Sequence, residues 1–221
     1  RFDPARPGGY PTVYLLDANL FFDDVVKAFR RAARKGELPP VIVVGVGYRD
    51  FAAMDSLRQR DYLMPASDSV PGSGGGDRFL RFLCAQLVPY VNERFPTDTS
   101  HTALAGHSFG GYFTLHAMLS TFLHGETPFT CFVAASPTAD YAGGVLAQAW
   151  ESAATEPPGP ALRVFIGHED EEPGTMRTIH VLQQSFGSRS VDRLYRGADH
   201  MAVALPSFTD GLKALWGAAA H

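Results

Sequence analysis

Short runs of β-branched, aromatic and small apolar residues alternate with helical patterns along the whole 221-residue chain. The runs are Thr12–Leu16, Val41–Val44, Thr102–Ala105, Phe129–Ala134, Leu162–Ile166 and Val191–Tyr195. Near-continuous apolar runs of this length fit parallel strands covered on both faces. Between them lie helical stretches. Phe21–Arg34 carries Val25, Val26, Phe29 and Ala33 on one face, and Asp77–Phe95 repeats Phe79, Phe82, Leu83, Leu87, Tyr90 and Val91 at helical spacing. Pro89 lies inside the second pattern and predicts a kink. Phe109–Leu119, Gly144–Trp150, Thr175–Phe186 and Pro206–Trp216 complete the set. This order predicts an α/β fold: a mostly parallel central sheet with helices on both faces. Right-handed crossovers then bring the strand C-terminal ends to one edge, where ligands bind. No internal repeat or linker interrupts the pattern, so residues 1–221 are expected to form a single domain.

Composition narrows the reading. Glycine (22) and proline (16) make up about 17% of the chain, against about 12% in average proteins. That excess implies many tight turns and excludes a helical bundle or coiled coil. A net charge of −4 gives no electrostatic case for a nucleic-acid or anionic-membrane partner. No apolar run approaches the roughly 20 residues of a membrane helix. Cys84 and Cys131 show no metal-ligand spacing and are expected to be buried thiols. The chain begins at Arg1 and shows no signal peptide, so the expectation leans to the cytoplasm, and nothing indicates an oligomeric state. Two long irregular stretches, Gly47–Gly76 and Ser136–Pro160, are expected to be functional or mobile loops.

The strongest chemical signal is Gly106-His107-Ser108-Phe109-Gly110-Gly111, a G-x-S-x-G sequence between a predicted strand and a predicted helix. A serine on so sharp a turn needs glycines two residues before and after it. The turn lifts the hydroxyl above the sheet edge and aims the Phe109 N–H and the helix N-terminus at developing negative charge. Ser108 is therefore the candidate nucleophile. Its base must come from a loop at the same edge. Of eight histidines, His200 follows the last strand and precedes the last helix, whereas His107 should point away from the nucleophile.

An imidazole base needs an orienting carboxylate. The segment after the fifth strand reads Gly167-His168-Glu169-Asp170-Glu171-Glu172. Asp170, three residues past the glycine taken to end that strand, is the first choice, and Glu172 and Glu169 are the alternatives. The order serine, acid, histidine is that of α/β-hydrolases. A second oxyanion donor should come from Asp17-Ala18-Asn19, with the backbone N–H of Asn19 or Ala18 as candidate. Asp17 or Asn19 capping the next helix is the structural alternative. No metal and no cofactor are expected.

Tyr14-Leu15-Leu16-Asp17-Ala18-Asn19, Val41–Arg49, Arg60-Asp61-Tyr62, Gly74-Gly75-Gly76-Asp77 and the Gly106–Gly111 motif together resemble the esterases of the esterase D and enterochelin-esterase type. The resemblance runs from about Gly9 to the last helix. It implies an α/β-hydrolase fold, Ser108 as nucleophile, His200 as base, and the Asn19 and Phe109 N–H groups as oxyanion hole. Some relatives rely on a Ser–His pair, which keeps the role of Asp170 open. Relatives usually have glycine where Ala18 stands. They also carry further strands ahead of the one at Thr12, so the sheet is expected to lack its N-terminal strands.

The expected activity is hydrolysis of a small carboxylic ester through an acyl-enzyme. The alternatives are an acyltransferase or a siderophore trilactone esterase on the same site, or a catalytically silent binding protein. Substrate determinants are expected in Phe51–Gly76 and Ser136–Pro160. Arg58 could meet an anionic group, against a plainer reading of Arg58 and Arg60 as surface ion pairs with Asp55 or Asp61. Tyr62, Met64 and Tyr141 could line an apolar pocket, or serve as core.

Overall fold

The computed structural model describes residues 3–125, 127–153 and 162–217. Among these, six strands form one wholly parallel sheet: β1 (Tyr10–Leu15), β2 (Ile42–Gly45), β3 (Thr97–His107), β4 (Cys131–Ala135), β5 (Arg163–His168) and β6 (Ser190–Leu194), in the order β2-β1-β3-β4-β5-β6. The helices are α1 (Ala18–Arg34), α2 (Met54–Tyr62), α3 (Gly76–Phe82), α4 (Val88–Arg94), α5 (Phe109–His124), α6 (Tyr141–Ala153), α7 (Pro173–Phe186) and α8 (Ala204–Trp216). All six predicted strands are present. The Glu156–Pro160 proline cluster lies outside the described residues.

Side-chain alternation divides the core. Val13, Leu15, Ala103, Ala105, Val133 and Phe165 pack on one face against α1 and α8. Tyr14, Leu104, Phe132, Val164 and Ile166 face the layer that holds α3 to α7. Strands buried on both faces in this way read as continuous apolar runs in sequence. Each fully buried large side chain contributes roughly 1.5–3 kcal/mol.

Two elements differ from expectation. The first is α2, which occupies the middle of the stretch expected to be irregular. Its sequence Met-Asp-Ser-Leu-Arg-Gln-Arg-Asp-Tyr buries only Met54, Asp61 and Tyr62, so it shows no apolar stripe to read. An ion pair carries part of its docking, from Arg58 to Asp17 in the loop after β1, while the Arg60–Asp61 pair lies within the helix itself. The second is the helix predicted over Asp77–Phe95. It is continuous but widens into a π turn at Leu83–Leu87 just before Pro89. Pro89 lacks the N–H that would bond the preceding turn, and the wider turn accommodates that loss. Cys131 is buried, as expected, and Cys84 is half-buried. Among the described residues, no helix is long and apolar enough to cross a membrane.

The topology places the site. From β1 the chain crosses to β2 on one side, then returns to β3 on the other. The loops leaving β1 and β3 therefore diverge, and a crevice opens at the C-terminal ends of these two strands. The first leads into Asp17-Ala18-Asn19 and the second into Ser108.

Candidate active site

Ser108 sits between the last residue of β3 and the first of α5, with φ 58° and ψ −117°. A non-glycine residue there costs on the order of 1–3 kcal/mol, a strain typical of functional turns. The turn is tight enough to dictate its neighbours. A Cβ on Gly106 would lie 2.3 Å from the Gly110 carbonyl oxygen, and one on Gly111 would lie 2.9 Å from the Ala135 carbonyl oxygen. The Ser108 N–H donates to that same Ala135 carbonyl at 2.9 Å, pinning the turn to β4.

His200 follows β6 on a loop whose turn is held by Asp199, which accepts the N–H groups of Met201 (3.0 Å) and Ala202 (2.7 Å). His200 Nδ1 lies 2.8 Å from Glu169 Oε1 and 2.9 Å from Ser136 Oγ. Ser136 Oγ in turn donates to Glu169 Oε1 at 2.7 Å. With Nδ1 held by the carboxylate, Nε2 is the nitrogen left for the cavity that His200 shares with Ser108. Ser108 Oγ itself lies 3.4 Å from Thr138 Oγ1 and makes no direct hydrogen bond to His200. Such contacts often tighten only when substrate is bound.

The carboxylate at His200 is thus Glu169, not Asp170. β5 runs two residues further than the apolar run suggests, through Gly167 and His168. Strand alternation then puts Phe165, Gly167 and Glu169 toward α8, the helix that the His200 loop enters. Asp170 falls in the turn beyond. Its carboxylate accepts the Glu172 N–H at 3.2 Å, and its backbone carbonyl accepts from His168. Glu172 is also elsewhere, capping α7 through the N–H groups of Gly174 and Thr175. Burial alone would raise the Glu169 carboxyl, but hydrogen bonds from Ser136 and His200 outweigh it and hold it below its ordinary value. Ser136 occupies a left-handed backbone conformation (φ 42°). Its only sequence signal is its place immediately after an apolar run.

His107 does turn from the nucleophile, but it has a partner. It is buried, its Nε2 lies 2.7 Å from the backbone carbonyl of His200, and the two rings are 4.6 Å apart. The carbonyl requires an Nε2–H donor, which assigns the neutral tautomer. Burial pushes the His107 imidazole down to about 4, against about 6.5 in an unfolded chain. As pH falls between these values the unfolded state takes up the proton first, so stability declines, by on the order of 3 kcal/mol. His107→Gln keeps an N–H for the carbonyl and should flatten that decline. Urea unfolding of both proteins at pH 4.5 and 7 checks this, and an unchanged slope in the variant refutes it.

The loop after β1 carries the other predicted donor. Asp17 is fully buried and left-handed (φ 51°). The Ala18 N–H is taken by the Val46 carbonyl at 3.0 Å. Asn19, in the first turn of α1, therefore remains as the main-chain donor of this loop, opposite Phe109 in the first turn of α5. Neither Asp17 nor Asn19 caps α1. The Asn19 side chain instead brackets Tyr48, donating to its carbonyl at 2.8 Å and accepting its N–H at 2.7 Å.

The three side chains expected at the substrate are differently employed. Arg58 forms a bidentate ion pair with Asp17, Nε to Oδ1 at 3.1 Å and a terminal nitrogen to Oδ2 at 2.8 Å, and donates to the His107 carbonyl at 3.3 Å. It thereby ties the β1 loop to the β3 loop. The plainer ion-pair reading holds for Arg60 with Asp61, while the main partner of Arg58 lies 41 positions away in sequence. Burial, against the pull of Arg58, holds the Asp17 carboxyl above its ordinary value. Arg58→Ala leaves that carboxylate buried without its cation, which should cost about 3–5 kcal/mol. A loss of unfolding free energy smaller than about 1 kcal/mol in urea denaturation would contradict the clamp. Tyr62 is fully buried among Tyr48, Phe79 and Phe113, so it is core. Tyr141 is also buried, with its hydroxyl donating to the Pro65 carbonyl at 2.7 Å and lying 2.9 Å from Ser73 Oγ, so it ties down a loop.

A cavity of about 300 Å³ opens over Ser108 and His200, walled by Leu20, Phe51, Met54 and Met201. Among the described residues, no three His, Cys, Asp or Glu side chains converge as metal ligands.

A protein-family model described as "Putative esterase" matches residues 3–217. Among curated proteins, the chain is 33% identical over 148 residues to ferri-bacillibactin esterase BesA of Bacillus subtilis, covering 61% of this chain and 50% of that protein. It is 36% identical over 135 residues to the siderophore triacetylfusarinine C esterase of Aspergillus fumigatus, covering 59% and 45%. The chain thus spans about half the length of the curated relatives it matches. Among solved structures, the BES protein from Bacillus cereus superposes with a TM-score of 0.78 at 25% identity, over 97% of this chain and 86% of that one. Enterobactin hydrolase IroE in complex with DFP gives 0.73 at 25% identity, over 96% and 85%.

Proposed function

The chain belongs to this esterase family, and from that premise we propose that it is a serine hydrolase that cleaves carboxylic ester bonds through an acyl-enzyme on Ser108. One observation carries the reading. A strained serine at the sheet crevice shares a cavity with an imidazole whose far nitrogen is held by a largely buried carboxylate. In the first half-reaction Ser108 Oγ attacks the ester carbonyl carbon while His200 Nε2 takes its proton. Glu169 accepts from Nδ1–H throughout, which fixes the tautomer and stabilises the imidazolium. The Asn19 and Phe109 N–H groups receive the oxyanion, each donor being worth about 10²–10³ in rate. Collapse of the intermediate breaks the bond to the alcohol, which leaves with the proton from His200. Water then repeats the sequence on the acyl-enzyme and releases the acid. Ser136 and His107 act as positioning residues, the first on the Glu169–His200 pair and the second on the His200 loop.

The curated relatives carry names of siderophore esterases, and an ester bond in such a ligand would be cut by the same steps. The test is turnover of p-nitrophenyl acetate by the purified chain, with a fluorophosphonate probe located on Ser108 by mass spectrometry. A folded chain that neither turns over the ester nor takes the label overturns the reading.

A further inference from the structure

We infer that the acyl side of this site takes an uncharged apolar group and discriminates against an acyl chain ending in a carboxylate. The inference rests on the reading of Ser108 as nucleophile and adds to it the class of substrate.

The first observation is the cavity wall. Leu20 stands in the first turn of α1, Phe51 and Met54 lie three residues apart where the loop after β2 enters α2, and Met201 follows His200 on the loop before α8. Three segments thus bring large apolar side chains to the mouth over Ser108. Three of these side chains are strongly exposed: Phe51 at 64%, Met201 at 50% and Leu20 at 44%. Clustered exposed apolar side chains are uncommon on a soluble surface without a binding role. Methionine and phenylalanine also suit a site that must accommodate flexible apolar chains.

The second observation is charge. Arg58 is the one arginine or lysine on this cavity wall, and its guanidinium is already engaged. Two of its nitrogens hold Asp17, one of these also reaches the His107 carbonyl, and the third lies 3.9 Å from Asp55. Asp55 lines the same cavity and its carboxylate is largely exposed. The wall therefore presents more negative than positive charge to a ligand. An acyl chain ending in a carboxylate would bring a like charge into an apolar enclosure, where it loses water and gains no cation.

The third observation is the cavity on the other side of Ser108. Its volume is about 270 Å³, and it is lined by Thr138, whose Oγ1 lies 3.4 Å from Ser108 Oγ, and by the acidic side chains Asp140 and Glu172, with no arginine or lysine on its wall among the described residues. A carboxylate-ended acyl chain would therefore meet like charge there as well, so neither cavity beside the nucleophile offers it a cation.

The experiment keeps the leaving group constant. The purified chain is assayed with p-nitrophenyl acetate, butyrate and hexanoate, and with mono-p-nitrophenyl adipate, which matches hexanoate in length but ends in a carboxylate. Each added methylene should raise kcat/KM by about fourfold until the cavity is filled. The adipate ester should fall at least about tenfold below hexanoate at pH 7.5. Phe51→Ala and Met201→Ala should each shrink the hexanoate-to-acetate ratio at least about threefold, and Asp55→Asn should narrow the gap between hexanoate and adipate. These side chains are exposed, so their truncation leaves the core intact. An acetate preference, or an adipate rate equal to that of hexanoate, overturns the inference while leaving the nucleophile reading standing. In the second case the neighbouring groove beyond Asn19, which carries Lys27 and Arg49, becomes the candidate for anion recognition. Loss of acetate turnover and of fluorophosphonate labelling together overturns both.

Discussion

Ser108→Ala lowers kcat for p-nitrophenyl acetate by about 10⁵- to 10⁶-fold, abolishes labelling by a fluorophosphonate, and leaves the protein folded. The magnitude follows from the mechanism: without the hydroxyl no acyl-enzyme forms, and only the oxyanion donors and binding remain to assist water. The unchanged fold follows from the geometry. Among the described residues, Ser108 Oγ has one hydrogen-bond contact, to Thr138 Oγ1 at 3.4 Å, so its loss leaves no short hydrogen bond broken. Alanine occupies the left-handed backbone no better than serine, and stability should stay within about 1 kcal/mol. The decisive measurement is steady-state turnover beside a thermal unfolding curve. Residual activity above about 1% in a folded variant assigns the chemistry to another group.

Glu169→Gln comes second in size. It removes the charge that stabilises the His200 imidazolium and lets an amide face Nδ1 in either orientation, so kcat should fall by about 10²–10⁴. Asp170→Asn should change kcat less than about threefold, since the carboxylate of Asp170 serves only the Glu172 N–H, at 3.2 Å, and its carbonyl contact to His168 is main chain. Assaying the two variants side by side separates the acids. If Asp170→Asn is the damaged one, the loop after β5 must rearrange when substrate binds, and the Glu169 assignment fails. The Glu169 hydrogen bonds also carry a sign in pH. Because they hold its carboxyl below the ordinary range, their contribution to stability is present above the unfolded value, about 4.3, and is lost as pH falls through the folded one.

The placement of the turn at Ser108 and of the His200 loop was legible from residue order alone. An apolar run, a glycine-flanked serine and a helical pattern are each local. Local sterics decide them within a few residues: Gly106 has no room for a Cβ, and β3 and α5 must meet at that angle. The same holds for the six strands, whose burial on both faces leaves an apolar signature that needs no knowledge of neighbours. Helix α2 left no such mark, because a short helix that buries three residues and docks in part by the Arg58–Asp17 ion pair has no periodic apolar face.

The division at the site has one physical cause. Residue type and turn chemistry are properties of a short window of chain, and they determined the parallel sheet, the strained Ser108 and a histidine loop at the same edge. Which acid meets that histidine depends on the residue at which β5 ends, because one step along a strand turns a side chain to the opposite face. That phase is set by pairing with β4 and β6, and it selects Glu169 over Asp170. Arg58 with Asp17, His107 with the His200 carbonyl, and Ser136 with both Glu169 and His200 join loops far apart in sequence. Only the packed sheet brings those loops within hydrogen-bond reach. Tertiary structure alone therefore decided which charges are paired, which tyrosines are core, and which apolar side chains stand open over the nucleophile.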